Sequence, residues 1–375
     1  MKKYIIIFLF AVVVLPSCLN EPDIQPNTYS GNFESLWKII DEKYCYLDYK
    51  NINWDSIHTV YKTQVDTVTD QYRFFDMMAA MLGELKDGHV NLYSNFDKSR
   101  YWKWFTDYPD NFNSSLIFSD RYLGDNYRIA GGFRYKKIAN DSIGYMYYGD
   151  FSNQFSDTNI SLILKSFSAC KGLIIDVRNN GGGYLDLSEQ LASYFFTEEK
   201  ITGYMSYKTG VGHSDFSKPV EVKTPAHKTI QWQRPVIILS NRMSFSATNS
   251  FVCRMKQAPK ATIVGDKTGG GGGLPLSSEL PNGWLVRFSA EPMFDADMNQ
   301  TEWGIDPDVK VDMNATNEKN GYDTIIEKAI SLTPPPPHTP TYNINIKQTI
   351  KFIIFSRSND SPKITIIKSI TARKY

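Results

Sequence analysis

The stretch SNRMSFSATNSF, from Ser240 to Phe251, sets four serines among small neighbours, where the apolar run VIILS ends. A serine at the first turn of a helix that follows a strand exposes its Oγ and leaves the next backbone amide able to donate to an oxyanion. Serines at that place also cap helices, and on this stretch alone capping accounts for both Ser244 and Ser246. One strand–helix unit earlier, IIDVRNNGGGYLD runs a strand into Asn179-Asn180-Gly181-Gly182-Gly183 and then a helix. Glycines at such a turn let backbone N–H groups point into a cavity at a helix N-terminus, where they hold an anion or a developing oxyanion. The run lacks the Gly-Lys-Ser/Thr ending of a phosphate loop and the GxGxxG spacing with a later acid. An oxyanion site and a plain tight turn remain.

The elements that would position these residues follow from periodicity. Between Asn32 and Leu85, apolar residues recur at helical spacing (Phe33, Leu36, Trp37, Ile40, then Phe74, Phe75, Met78, Met81, Leu82, Leu85), which predicts a small helical bundle. Asp87-Gly88 breaks the last helix and His89–Tyr93 alternates as a strand does. Residues 95–140 show no period and are too few for an inserted domain of about 100 residues. From Ser142 onward strands and helices alternate, which implies a sheet covered by helices. Residues 200–234 read as a polar, aromatic insertion able to cap a site. The core closes with a helix over 321–332, and Pro334–Pro337 ends it.

The 41 Lys+Arg are interspersed with 40 Asp+Glu in a chain of 375 residues, a net charge of +1 that argues against a nucleic-acid partner. MKKYIIIFLFAVVVLPSC has a charged start, an apolar run too short to span a bilayer comfortably, and a small-residue cleavage site, so residues 1–17 read as a secretory signal. Cys18 directly after it resembles a bacterial lipobox, which implies a lipidated first residue and a tether over 18–31. Cys45, Cys170 and Cys253 lack CxxC spacing and suggest neither a disulfide framework nor a zinc site. No metal or cofactor is implied.

Taken together, DVRNNGGG (176–183), NRMSFSATNSF followed by ATIVGDKTGGGGG (261–273), and EWGIDPDVKV (302–311), with DGHV (87–90) after a helical bundle, resemble the tail-specific, C-terminal-processing and tricorn-type serine peptidases. The resemblance implies an α/β (α+β) crotonase-like core with an N-terminal helical bundle, and cleavage of peptide bonds, often near a C-terminus. It divides the chain into a bundle over 32–86, a connecting region over 87–141, a peptidase core over 142–332 without a PDZ module, and a junction and tail over 333–375. It places the nucleophile on Ser246, with Ser244 as a neighbour. The tail-specific branch carries a lysine base twenty-five residues after the serine; here that position is Gly271, and Lys267 falls on the wrong residue of the turn. The tricorn-type branch instead uses a histidine after the bundle and a glutamate near the end of the core, positions that His89 and Glu302 match. His58, His213, His227 and His338 stand elsewhere. Gly88 departs from the pattern, because the tricorn-type protease has a hydroxyl residue there that orients the glutamate.

The resemblance therefore implies a Ser246–His89–Glu302 triad, with Glu302 holding the imidazole and an oxyanion hole made by Ala247 and either Gly181 or Gly182. An imidazole base implies activity rising with an apparent pKa of about 6–7.5. The expected partners are a peptide or unfolded protein substrate and, through Cys18, a membrane of the bacterial cell envelope. The same fold serves retinoid-binding proteins of the eye, so a ligand-binding or nutrient-capturing lipoprotein is the alternative.

Overall fold

A computed structural model describes residues 25–333 and, separately, two short strands in the tail. Cys18, its signal segment and His338 lie outside the described residues. The chain opens with three helices, α1 (Tyr29–Lys43), α2 (Trp54–Val65) and α3 (Gln71–Gly83). Each begins where a side-chain oxygen takes an orphan amide: Thr28 from Gly31, Asn53 from Ser56, Asp70 from Tyr72 and Arg73. Their apolar faces, with Phe33, Leu36, Phe74, Met78 and Met81 buried, close one core.

Next come β1 (Asn91–Tyr93), the short helices α4 (Lys103–Thr106) and α5 (Ser114–Ile117), then β2 (Arg128–Ala130), β3 (Phe133–Ile138) and β4 (Ile143–Tyr148). The alternating part follows as α6 (Asp157–Ser166), β5 (Gly172–Asp176), α7 (Leu185–Ser193), β6 (Lys200–Met205), β7 (Val220–Thr224), β8 (Val236–Ser240), α8 (Ala247–Met255) and β9 (Ala261–Gly265). It ends in β10 (Gly273–Glu279), β11 (Leu285–Phe294), β12 (Val309–Lys310), α9 (Ala315–Lys319) and α10 (Thr324–Leu332). In the tail, β13 (Ile353–Ser356) and β14 (Lys363–Ile366) form an antiparallel pair with Ile353 opposite Ile366.

The strands from β1 to β12 form two sheets. The larger runs β12-β9-β8-β5-β4-β3-β2 and is parallel from β12 through β4. Its central strands are buried on both faces, as parallel strands between helix layers must be. In β5, Leu173 and Ile175 face α7 and α8, whereas Ile174 faces α10, the period-two alternation of a strand. The second sheet runs β1-β11-β6-β7, with β10 also on β11. Val286, Phe288 and Ala290 of β11 pack into the core of the three opening helices, so β11 joins the bundle to the strand that leads from His89.

Candidate active site

The glycine turn and the serine turn lie side by side at the carboxyl ends of β5 and β8, where ligands bind in open α/β sheets. Asn180 ties them together: its backbone oxygen accepts from Phe245 N (3.1 Å), and its Oδ1 accepts from Gly182 N (3.0 Å) and Thr248 Oγ1 (2.7 Å). Below, the buried Arg178 bonds Asp176 (2.6 Å) and Asp323 (3.0 Å), anchoring the strand end. Four hydrogen bonds to three residues make that charge tolerable away from water: the backbone oxygen of Asn111 is one of the acceptors.

Ser246 holds the N-cap position of α8 but caps nothing; its side chain makes no bond to a helix amide. Its backbone sits at φ 58°, a region that L-residues other than glycine seldom adopt and that surrounding structure must impose. The imposition is visible: Ser246 N donates to Gly270 O (2.9 Å) while Phe245 N is fixed by Asn180. The result aims Oγ at His89, whose Nε2 lies 2.9 Å away. Ser244 is different. It is fully buried, donates to Val177 O (2.8 Å) and accepts from Asn241 N (3.1 Å), which makes it a structural link between β5 and the serine turn.

The structure does not bring Glu302 onto His89. Glu302 Oε1 accepts from Lys50 Nζ (2.6 Å) and Oε2 from Gly272 N (3.1 Å), and among the described residues the buried His89 Nδ1 has no hydrogen-bond partner. The reason is Lys50, in the loop between α1 and α2, whose ammonium enters the core at that point. It also lies 3.6 Å from Asp87 and over the Trp303 ring. Asp87, whose place in DGHV reads as a helix breaker, is buried. Its Oδ1 accepts from His89 N (2.8 Å), and its Oδ2 from Tyr44 and Ser289 hydroxyls (2.9 Å each).

This burial shapes the titrations. Burial holds the His89 imidazole down to about 4, with Arg287 and Lys50 pushing the same way and Asp87 opposing. That departs from the 6–7.5 range an unperturbed imidazole implies. Burial likewise pushes the Glu302 carboxyl up to about 8, and the Asp87 charge adds to the rise, against Lys50 and the Gly272 amide. Burial would also raise Asp87, but the charges of Lys50 and His89 outweigh it and keep Asp87 below the usual carboxylate range.

Of the amides named for an oxyanion, Gly182 N is already bound to Asn180 Oδ1. Among the described residues, no acceptor takes Ala247 N or Gly181 N. Gly181 also lines the cleft in front of Ser246, and a Cβ there would meet open space. At Gly182 a Cβ would stand 2.8 Å from Ser246 Cβ and 2.7 Å from Phe245 O, so this glycine is needed for close approach. The cleft has a volume of about 500 Å³ and is walled by the segment around Trp102 and Trp104. A narrow second pocket touches the other side of Ser246, with Thr202 and Tyr204 of β6 in its lining. The other described histidines stand apart: His58 pairs with Glu34, His213 with Asp41, and His227 lies near Asp157. Lys267 pairs with Asp306.

Comparison with known proteins fits this arrangement. Residues 142–311 match peptidase family S41, and residues 25–83, the three opening helices, match the tricorn protease C1 domain. The chain is 49% identical to a peptidase candidate of known structure from Parabacteroides merdae, with a TM-score of 0.79, covering 82% of this chain and 97% of that one. It is 25% identical over 221 residues to the carboxy-terminal processing protease CtpB of Bacillus subtilis, 53% of this chain and 44% of CtpB. The chain thus spans less than half the length of such curated relatives, 34% for a CtpA-like serine protease of Staphylococcus haemolyticus. Mature CPAF, 12% identical, shares the fold with a TM-score of 0.60 over 81% of this chain and 96% of that one. The chain belongs to peptidase family S41, a family of serine peptidases with an α/β core and N-terminal helices.

Proposed function

We propose that this protein is a serine endopeptidase that cleaves peptide bonds of unfolded proteins or peptides, near their C-termini, through an acyl-enzyme at Ser246. The observation that carries the reading is the 2.9 Å contact between Ser246 Oγ and His89 Nε2, made by a serine held at φ 58° that caps no helix. A neutral imidazole at that distance takes the hydroxyl proton as Oγ attacks the scissile carbonyl carbon. The tetrahedral oxyanion then lies against the amides of Ala247 and Gly181. Its collapse breaks the C–N bond, and His89 returns the proton to the leaving amine. Water, deprotonated by the same imidazole, then hydrolyses the ester.

Glu302 enters this reading as a positioning residue. Through Lys50 it is linked to Asp87, which grips the His89 backbone, so this chain of contacts fixes the base from behind. A binding protein has no use for a serine strained against a histidine, which favours hydrolysis over ligand capture. A fluorophosphonate probe tests the assignment: wild type should be labelled on the peptide containing Ser246 and Ser246→Ala should not. Absence of labelling in active wild-type protein, or labelling elsewhere, would overturn it.

Lipidation at Cys18 belongs to the same proposal and would hold the enzyme on a membrane of the cell envelope. Among the described residues no helix is long and apolar enough to cross a membrane. Wild type should partition with membranes and Cys18→Ala should not; unacylated, soluble wild-type protein would refute the anchor.

A further inference from the structure

We propose that the cleft in front of Ser246 selects peptides carrying a carboxylate within a residue or two of the scissile bond, held by Arg287 and Arg100 with help from Lys98. The proposal rests on the peptidase reading and deepens it. Lys98, Arg100 and Arg287 all line the cleft, and among the described residues no Asp or Glu does. In a chain whose net charge is only +1, this one-signed lining is local.

Arg287 is the centre of the argument. It lies on β11 directly opposite Asn91, and Asn91 and His89 line the same cleft. Its charge reaches the reacting group, since it is one of the causes that hold the His89 pKa down. It is only partly exposed, yet among the described residues it has no ion pair and no side-chain hydrogen bond. Among the described residues the two buried arginines have carboxylate partners, Arg178 with Asp176 and Arg254 with Glu189. A half-buried guanidinium with five unmatched donors is a receptor for a planar carboxylate, which it binds through two parallel bonds.

The two other cations are similarly uncommitted. Arg100 meets Asp97 only at 3.8 Å, with both side chains about half exposed (48% and 50%). Lys98 Nζ rests over the Tyr93 ring at 4.8 Å, a contact that leaves its three donors open. Trp102, 56% exposed beside them, offers a flat apolar surface for the flanking peptide. A carboxylate brought here would also offset the Arg287 charge felt by His89, so the preferred substrate makes the imidazole a stronger base.

The test uses peptides identical except for Glu against Gln next to the cleavage site, each with a free or an amidated C-terminus. Values of kcat/KM are measured for wild type and for the Arg100→Gln/Arg287→Gln double variant at low and high salt. Wild type should favour the carboxylate peptide by about tenfold, about 1.4 kcal/mol; the ratio should fall towards one in the double variant and shrink with salt. Preference for the Glu peptide assigns the site to a side chain, and preference for the free terminus assigns it to the α-carboxylate. Equal rates for acid and amide in wild type, or a preference that survives in the double variant, overturns the proposal. In parallel, Kd values for the same peptides are taken on Ser246→Ala protein from the fluorescence of the cleft tryptophans. If nothing is hydrolysed the peptidase reading fails, while these Kd ratios still decide whether the cleft takes a carboxylate.

Discussion

In the proposed mechanism, lowering the pH protonates His89 and stops it taking a proton from Ser246, and burial sets where that happens. The imidazole is brought from an ordinary 6.5 to about 4, chiefly because its charged form loses hydration in the core. The shift corresponds to about 3 kcal/mol between the two protonation states. In kcat/KM, which reports the free enzyme, activity should therefore stay level from neutral pH to about 5 and fall with unit slope around pH 4. The same shift has a stability consequence whose sign is fixed. Between the two pKa values the unfolded chain binds a proton that the folded one refuses, so stability is present in full above 6.5 and is lost as pH falls towards 4. Urea denaturation of wild type and His89→Gln at pH 7 and pH 4.5 isolates this part: the wild type should lose about 2–3 kcal/mol more than the variant. An acid limb at 6.5 or higher, or a wild-type to variant difference unchanged between the two pH values, would refute the reasoning.

Ser244→Ala leaves Val177 O and Asn241 N without their buried partner, so it should cost about 1–3 kcal/mol in denaturant while the folded fraction keeps most of its kcat/KM. Gly182→Ala forces a Cβ to 2.8 Å from Ser246 Cβ at φ +99°, and should lower kcat by about 100-fold or more with KM less affected; near-normal kcat would show the serine turn to be adaptable. Glu302→Gln turns one of two accepting oxygens into a donor that meets either Lys50 or the Gly272 amide, and it should reduce stability by about 1–3 kcal/mol and kcat/KM by about tenfold or more. Activity within a factor of two of wild type, in folded protein, would remove Glu302 from the positioning of His89.

The framework of the site is legible in the sequence because periodicity and turn chemistry are local. VIILS and GLIID form β8 and β5, the serines and glycines fall on the turns after them, and the helices follow in order. The choice between Ser244 and Ser246 is not local. Both serines suit a helix start, and only the fold shows that one oxygen faces Val177 and the other His89. Lys50 is illegible for a related reason: it meets Glu302 across 252 residues of chain, through a loop with no periodic signal. Trp104, in the aperiodic stretch after β1, is likewise placed by packing alone. Asp87 was visible as a breaker of the preceding helix, but its bond to the His89 amide depends on how that turn closes.

The two departures from the family's pattern, Gly88 and Gly271, have one physical cause. Phe245, beside Ser246, stacks on Trp104 with ring centroids 4.2 Å apart and lies 4.8 Å from the His89 ring. A Cβ at Gly88 would come within 2.6 Å of Trp104 Nε1 and 3.0 Å of Phe245 Cζ. A Cβ at Gly271 would come within 2.5 Å of the same Phe245 atom and 3.0 Å of His89 Cε1. The room that a hydroxyl residue or a lysine would need is thus filled by one aromatic pair, and Gly271 shows that a lysine there would compete with His89 for the same side of Ser246. With the lysine excluded, the packing leaves His89 beside Ser246, where the proposed mechanism needs a base. With the hydroxyl excluded, nothing among the described residues bridges Glu302 to Nδ1, and the carboxyl group turns to Lys50. Phe245 packs on the same imidazole, whose burial is the first cause of its lowered pKa.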